Sequence, residues 1–294
     1  MVVMSESVMI EKTIRVLAKE LQISYANMMA AYATEQFLKN LSGSAYASRL
    51  WIVESNRYRL ETYRRKIDLS LRFYDTKKEA STDEEIQNML QGICGQAIDT
   101  GQADHSGIHW EITKKENWVV TAVIGSRHIP LSIQMLPLQK DDRVPVQVTV
   151  HLCSKNNEGV LFYQYPSENS LVEGLAEIME NLELIRDMQV YEDVWQILTS
   201  ESVDGRKIEQ QLLQQLTEKG IHPDQKRMDL FCSYRDYRYM KKKWNSYLKQ
   251  QNQKEPVWED VMEKILAFLQ PVWEMMQQDM IFIGDWMPEL GRYL

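Results

Sequence analysis

Apolar positions recur at helical spacing at both ends of the chain and alternate in its middle. Ile10, Ile14, Leu17 and Leu21 step by four, three and four, predicting an amphipathic first helix. Ser24 offers an N-cap for a second helix running to about Leu41, where Ser42-Gly43-Ser44 breaks the pattern. Within it, Met28-Met29 reads as core filler rather than a ligand pair. Leu50 to Val53 is a short apolar run suited to a buried strand. Ile67, Leu69, Leu71 and Phe73 then alternate with Lys66, Asp68, Ser70 and Arg72, which predicts a strand over 66–73 with one polar face. Thr82-Asp83-Glu84-Glu85 has the spacing of a capping box and opens a helix that ends near Gly101.

From Ile108 to about Tyr165 the period is two. Trp118–Ile124, then Ile129, Leu131, Ile133 and Met135, then Val146, Val148, Val150 and Leu152 predict strands, with a turn at Gly125-Ser126. Pro145 suits a strand start or an edge. From Ser167 onward the reading is helical throughout. Leu171, Leu175, Ile178 and Leu182 form one stripe, and Val190, Val194 and Ile197 another. Asp204 caps a helix that stops at Gly220, Pro256 sits in the first turn of a later helix, and Pro271 interrupts it. The expected architecture is α+β: a mixed sheet flanked by helices over 1–166 and a helical domain over 167–294.

Composition narrows the function classes. A formal net charge of −8 opposes nucleic-acid binding by the whole surface and leaves room for a local patch. The 3 cysteines form no CxxC, which suits a reducing cytoplasm. No long apolar run or signal sequence is present, so neither membrane insertion nor export is expected. The histidines share no ligand spacing, and His109 beside Trp110 reads as structural.

The strand over 66–73 carries the most specific chemistry. Nucleotidyltransferases hold two carboxylates one residue apart on such a strand, where they share Mg²⁺ ions that bridge nucleotide phosphates. Here those two positions are Lys66 and Asp68, so an ammonium stands in place of the first carboxylate. A plainer account makes Asp68 the partner of Arg64 or Lys66 in a surface ion pair of little worth. Further on, Arg235, Arg238, Lys241, Lys242 and Lys243 interleave with Tyr237, Tyr239 and Trp244. Cations with aromatics can follow a single strand of RNA. A solvated helix face with its aromatics turned inward fits the same residues.

Phe37-Leu38, Ser44-x-Tyr46, Leu50 to Ser55 and Lys66-Ile67-Asp68-Leu69 follow the order of motifs in the AbiEii nucleotidyltransferases, the toxin half of a bacterial abortive-infection toxin–antitoxin system. The chain resembles that family. Tyr165-Pro166-Ser167-Glu168, Glu173, Tyr191-x-Asp193 and Trp258 to Pro271 extend the resemblance over nearly the whole length. It implies Asp68 and Glu173 as catalytic positions and Ser55, Lys66, Ser70 and Asp193 as nucleotide-binding ones. It also implies RNA and a cognate antitoxin as partners. Glu173 and Asp193 have a plainer reading as exposed residues of ordinary helices.

The departures from the family pattern fall on those same positions. Val53-Glu54-Ser55 replaces Lys-Gly-Gly, losing the glycines that let a backbone approach phosphate. Lys66 replaces the first Asp, and Gln134 lies where a third acid is expected. Glu173-Gly174 replaces Glu-Lys, and Gln189-Val190 replaces Lys-Asp. Two readings follow. In one the protein is a degenerate, catalytically inactive member with no cofactor and no metal, retained as a binding or regulatory module. In the other it is an active transferase that modifies RNA with substitute residues and requires Mg²⁺ and a nucleoside triphosphate. A structural protein with no nucleotide is a third, blander reading.

Overall fold

A computed structural model describes residues 6–53, 63, 69–77, 80–99, 107–138, 144–150, 159–251 and 253–294. The chain divides into two compact units, Met1–Pro166 and Ser167–Leu294.

The first unit is α+β. Helices α1 (Glu6–Leu21) and α2 (Tyr25–Ser42) follow the apolar stripes, and Ser24 caps α2 by accepting from the Asn27 N–H at 3.1 Å. Helix α3 (Asp83–Asp99) opens on a reciprocal capping box: the Thr82 N–H donates to Glu85 at 2.9 Å and the Glu85 N–H to Thr82 Oγ1 at 3.3 Å. The strands are β1 (Leu50–Ile52), β2 (Ser70–Asp75), β3 (His109–Lys114), β4 (Trp118–Ile124), β5 (Arg127–Pro137), β6 (Val146–Val150) and β7 (Val160–Gln164). They form a mixed seven-stranded sheet in the order β3-β4-β5-β2-β1-β7-β6. Strand β2 is antiparallel to β1 and parallel to β5, and β1 is parallel to β7. Of the strand expected over 66–73, residues 66–68 lie outside the described residues. The remainder has the expected pleat, with Leu71 and Phe73 buried, and runs on to Asp75. Strand β6 begins directly after Pro145 and lies at the sheet edge, where the missing N–H costs no ladder bond.

One sheet face buries Ile52, Leu71, Phe73, Val120, Leu131, Ile133 and Phe162 against Phe37, Leu38, Met28 and the rest of the apolar faces of α1–α3. Asp75 ends β2 in a closed polar knot. Arg49 Nε and Nη2 donate to its two oxygens at 2.7 Å each, Ser81 Oγ donates at 2.7 Å, and the Lys77 N–H at 3.0 Å. Burial pushes the Asp75 carboxyl up, but the Arg49 and Ser81 hydrogen bonds outweigh it and hold it below the usual range.

The second unit is mainly helical: α4 (Ser167–Asn181), α5 (Gln189–Ser200), α6 (Gly205–Glu218), α7 (Gln225–Ser233), α8 (Arg238–Gln250) and α9 (Trp258–Gln277). Asp204 caps α6 by accepting from the Lys207 N–H at 3.1 Å. The core is rich in tryptophan. Trp244, Trp258, Trp273 and Trp286 are fully buried, and each indole N–H reaches a backbone carbonyl at 2.8 to 3.1 Å.

Three expectations for this unit are corrected. It is not helical throughout: β8 (Val203–Asp204), β9 (Asp285–Met287) and β10 (Arg292–Tyr293) form a three-stranded sheet, each strand too short to show a period. Pro256 lies before α9, which begins at Trp258. Its carbonyl accepts the Trp244 indole N–H and so belongs to a loop. Pro271 sits inside α9 without ending it. A proline there costs about 3 kcal/mol, and the buried Val272, Trp273 and Met276 beyond it outweigh that.

Candidate functional site

The pleat of β2 turns Ser70, Arg72 and Tyr74 to the face opposite α1–α3. Parallel pairing with β5 sets Ser132 beside Ser70 and Gln134 beside Arg72, and β1 sets Trp51 beside Tyr74. Ser70, Arg72 and Ser132 are half-buried and Gln134 is exposed. This is the face on which a metal pair is expected. Among its described residues on β1, β2 and β5 there is an arginine and no carboxylate. Hydroxyls, an amide and a guanidinium do not make the hard, anionic donor set that Mg²⁺ requires, so the described residues do not fit it. No cluster of three potential metal ligands occurs among the described residues. Ser55, Lys66 and Asp68 lie outside the described residues.

Glu173 is half-buried on α4, and Asp193 is half-buried on α5. Asp193 accepts from Gln189 Nε2 at 2.6 Å. The Tyr247 hydroxyl of α8 lies 2.7 Å from Gln189 Oε1 and also bonds the Glu192 carboxylate, which accepts from Gln196 Nε2 at 3.0 Å. Asp193 thus belongs to a polar network that joins α5 to α8. Glu177, one turn beyond Glu173, has its carboxyl pushed up by burial and by Asp187, against the pull of Lys219.

Helices α4 and α5 approach each other closely at Gly174. A Cβ built there would stand 2.7 Å from Val194 Cγ2 and 3.6 Å from Val190 Cγ1. Gly174 and Val190 are two of the positions where the sequence departs from the family pattern, and in the fold they are neighbours. The resemblance implies a lysine and an aspartate at these two positions; here the residues present form a helix-to-helix contact. The signal was legible as two separate departures, 16 residues apart, whose adjacency only the packing of α4 on α5 reveals.

The basic segment divides by role. Arg235 lies before α8 and pairs with Glu263 at 3.2 Å. Lys241 pairs with Glu259 at 2.6 Å, an interaction that raises its pKa. Lys243 donates to the backbone carbonyls of Glu183 and Ile185 and lies 5.4 Å from the Tyr239 ring centroid. Trp244 is core. Arg238 and Lys242 remain exposed, and Lys249, which lies beyond the segment read from sequence, joins them on the same helix face. The spacing of four, three and four through Arg238, Lys242, Asn245 and Lys249 is the signal that would have found it.

The same chain path exists in known structures. MenT4, a nucleotidyltransferase toxin from Mycobacterium tuberculosis H37Rv, superposes with a TM-score of 0.53 over 90% of this chain and 92% of its own, at 12% sequence identity. The protein has a nucleotidyltransferase fold. JHP933 from Helicobacter pylori superposes with a TM-score of 0.51 over 87% of this chain and 96% of its own, again at 12% identity. No protein-family profile and no curated protein matches the sequence. Among the described residues no helix is long and apolar enough to cross a membrane.

Proposed function

We propose that this nucleotidyltransferase-fold protein no longer transfers nucleotides and serves as a binding or regulatory module of a toxin–antitoxin or phage-defence system. The observation that carries the reading is the contact of Gly174 with Val190 and Val194. Transfer chemistry needs cations that stabilise charge on the departing phosphates. A lysine at position 174 could not be accommodated without parting α4 from α5. The sheet face supports the same reading, because Arg72 occupies a face that needs carboxylates to gather Mg²⁺. A cognate antitoxin and RNA are the partners proposed for the binding role, and a cytoplasmic location goes with them.

The decisive experiment supplies labelled nucleoside triphosphates, Mg²⁺ or Mn²⁺ and total RNA, and follows label in the RNA. No incorporation is expected, and calorimetry should find no metal-dependent nucleotide binding. Incorporation that disappears in Asp68→Ala would establish the active transferase instead. Co-expression with the product of a neighbouring reading frame of winged-helix type should give a complex stable to gel filtration.

A further inference from the structure

The outer face of α8 is a single exposed stripe formed by Arg238, Lys242, Asn245, Ser246 and Lys249, with Lys241 at its margin. Eleven residues separate its ends, about 16 Å of helix at 1.5 Å per residue. Lys241 is neutralised by Glu259, but no carboxylate among the described residues pairs with Arg238, Lys242 or Lys249. In a chain of net charge −8 three unpaired cations on one ridge are a local excess. Arg238 opens the helix at its positive dipole end, and the first turn contains no acid. The placement of Arg238 works against helix stability while Lys249 in the last turn favours it, so holding α8 together does not account for the whole stripe.

Beside it stand two exposed aromatics. Tyr237 and Tyr239 are 45% and 49% exposed, and their ring centroids are 5.9 Å apart. Tyr237 also stacks at 5.9 Å and 27° on the buried Tyr234, and Tyr239 is backed by Lys243, so both rings are held in place. A cationic ridge next to exposed rings is what binds a flexible strand: phosphates along the charges, bases on the aromatic faces. A duplex offers its phosphates but not its base faces, and an acidic peptide has nothing to stack.

We infer that single-stranded RNA binds along α8, its backbone on Arg238, Lys242 and Lys249 and its bases on Tyr237 and Tyr239. This rests on and deepens the binding role proposed above, where RNA is already a partner, by specifying a single strand and the surface that holds it. It does not depend on whether transfer chemistry survives.

The test is fluorescence anisotropy with the full chain and a labelled, unstructured oligouridylate of about 12 nucleotides, within the usual single-strand site size. Three contacts predict a slope of log K against log salt of about −2, or roughly a 20-fold loss of affinity between about 50 and about 200 mM salt. Replacing Arg238, Lys242 and Lys249 together with Ala should flatten the slope to near zero. Lys241→Ala should leave it unchanged, because Glu259 already occupies that charge. Tyr237→Leu and Tyr239→Leu keep the bulk but lose the stacking face, and each should weaken binding about fivefold or more at unchanged slope. Unaltered circular dichroism of the variants keeps a folding defect out of the result. A slope indifferent to the triple substitution would overturn the inference. So would a duplex bound as tightly as the single strand, or an oligoglutamate of equal length bound equally well, the latter marking the stripe as a docking face for an acidic protein. The nucleotide-transfer assay is a separate readout, so failure here and failure of the non-catalytic reading are distinguishable.

Discussion

Gly174→Ala measures how tightly α4 and α5 are closed. Gly174 lies in the middle of a regular helix with no positive φ, so alanine suits its backbone and should stabilise α4 by about 1 kcal/mol on propensity alone. The added methyl, however, would stand 2.7 Å from Val194 Cγ2. Val194 is fully buried, and its branched side chain is stiff in a helix, so it cannot turn aside and the helices must separate. Overpacking of this kind costs about 1–3 kcal/mol. The expected net effect is a loss of about 1 kcal/mol. In a Val194→Ala background the obstacle is gone, and Gly174→Ala should become stabilising by about 1 kcal/mol, a coupling of about 2 kcal/mol and a change of sign. Urea unfolding followed by tryptophan fluorescence reads this directly, since five of the eight tryptophans lie in the unit that contains α4 and α5. If Gly174→Ala stabilises the protein in its native background, the contact is loose and the argument against a lysine at this position fails.

Other outcomes follow from the polar groups. Asp75 has a folded-state pKa below its unfolded value, so its contribution is present above about pH 4 and is lost as pH falls through the folded value. Asp75→Ala should cost about 3 kcal/mol at neutral pH by stranding Arg49, and it should flatten the acid limb of the stability profile. Glu177 has the opposite sign: its folded pKa is raised, so ionisation opposes folding above that value and the penalty disappears as pH falls below the unfolded value. Glu177→Gln should raise the melting temperature at pH 7, and the gain should shrink in melts run at pH 4. Thr82→Ala removes one half of the α3 capping box and should cost about 1 kcal/mol, seen in thermal melts by circular dichroism.

Local signals carried much of the fold into view. Ser24, Thr82 and Asp204 cap the helices that their sequence context announced, because a cap is chemistry between residues two or three apart. The alternation through Leu71, Phe73, Leu131 and Ile133 survived as a buried sheet face for the same reason: a pleat needs only near neighbours. What escaped was set by distant contacts. Pro271 reads as a stop until Trp273 is seen anchored to the Asp224 carbonyl. The β8-β9-β10 sheet joins residues more than 80 apart through strands of two or three residues. The cations of the 235–243 run looked equivalent in sequence. Their division into internal partners, Arg235, Lys241 and Lys243, and the outward Arg238 and Lys242 depends on where Glu263, Glu259 and the Glu183 carbonyl happen to lie. Gly174 appeared only as a missing lysine, and its role in packing required the facing helix.

The order of strands in the larger sheet also governs how the chain emerges from a ribosome. Strands β1 and β2 lie at its centre and can pair with each other as soon as both are made. The flanking partner of β2 is β5, more than 50 residues later, and that of β1 is β7, more than 100 residues later. At about 5–20 residues per second, β2 waits roughly 3–10 s and β1 roughly 5–20 s with an unpaired apolar edge. Such an edge is a template for any other strand in reach. Yield in the cell should therefore depend on chaperone supply and growth temperature far more than the finished sheet, whose edges are β3 and the proline-led β6, would suggest.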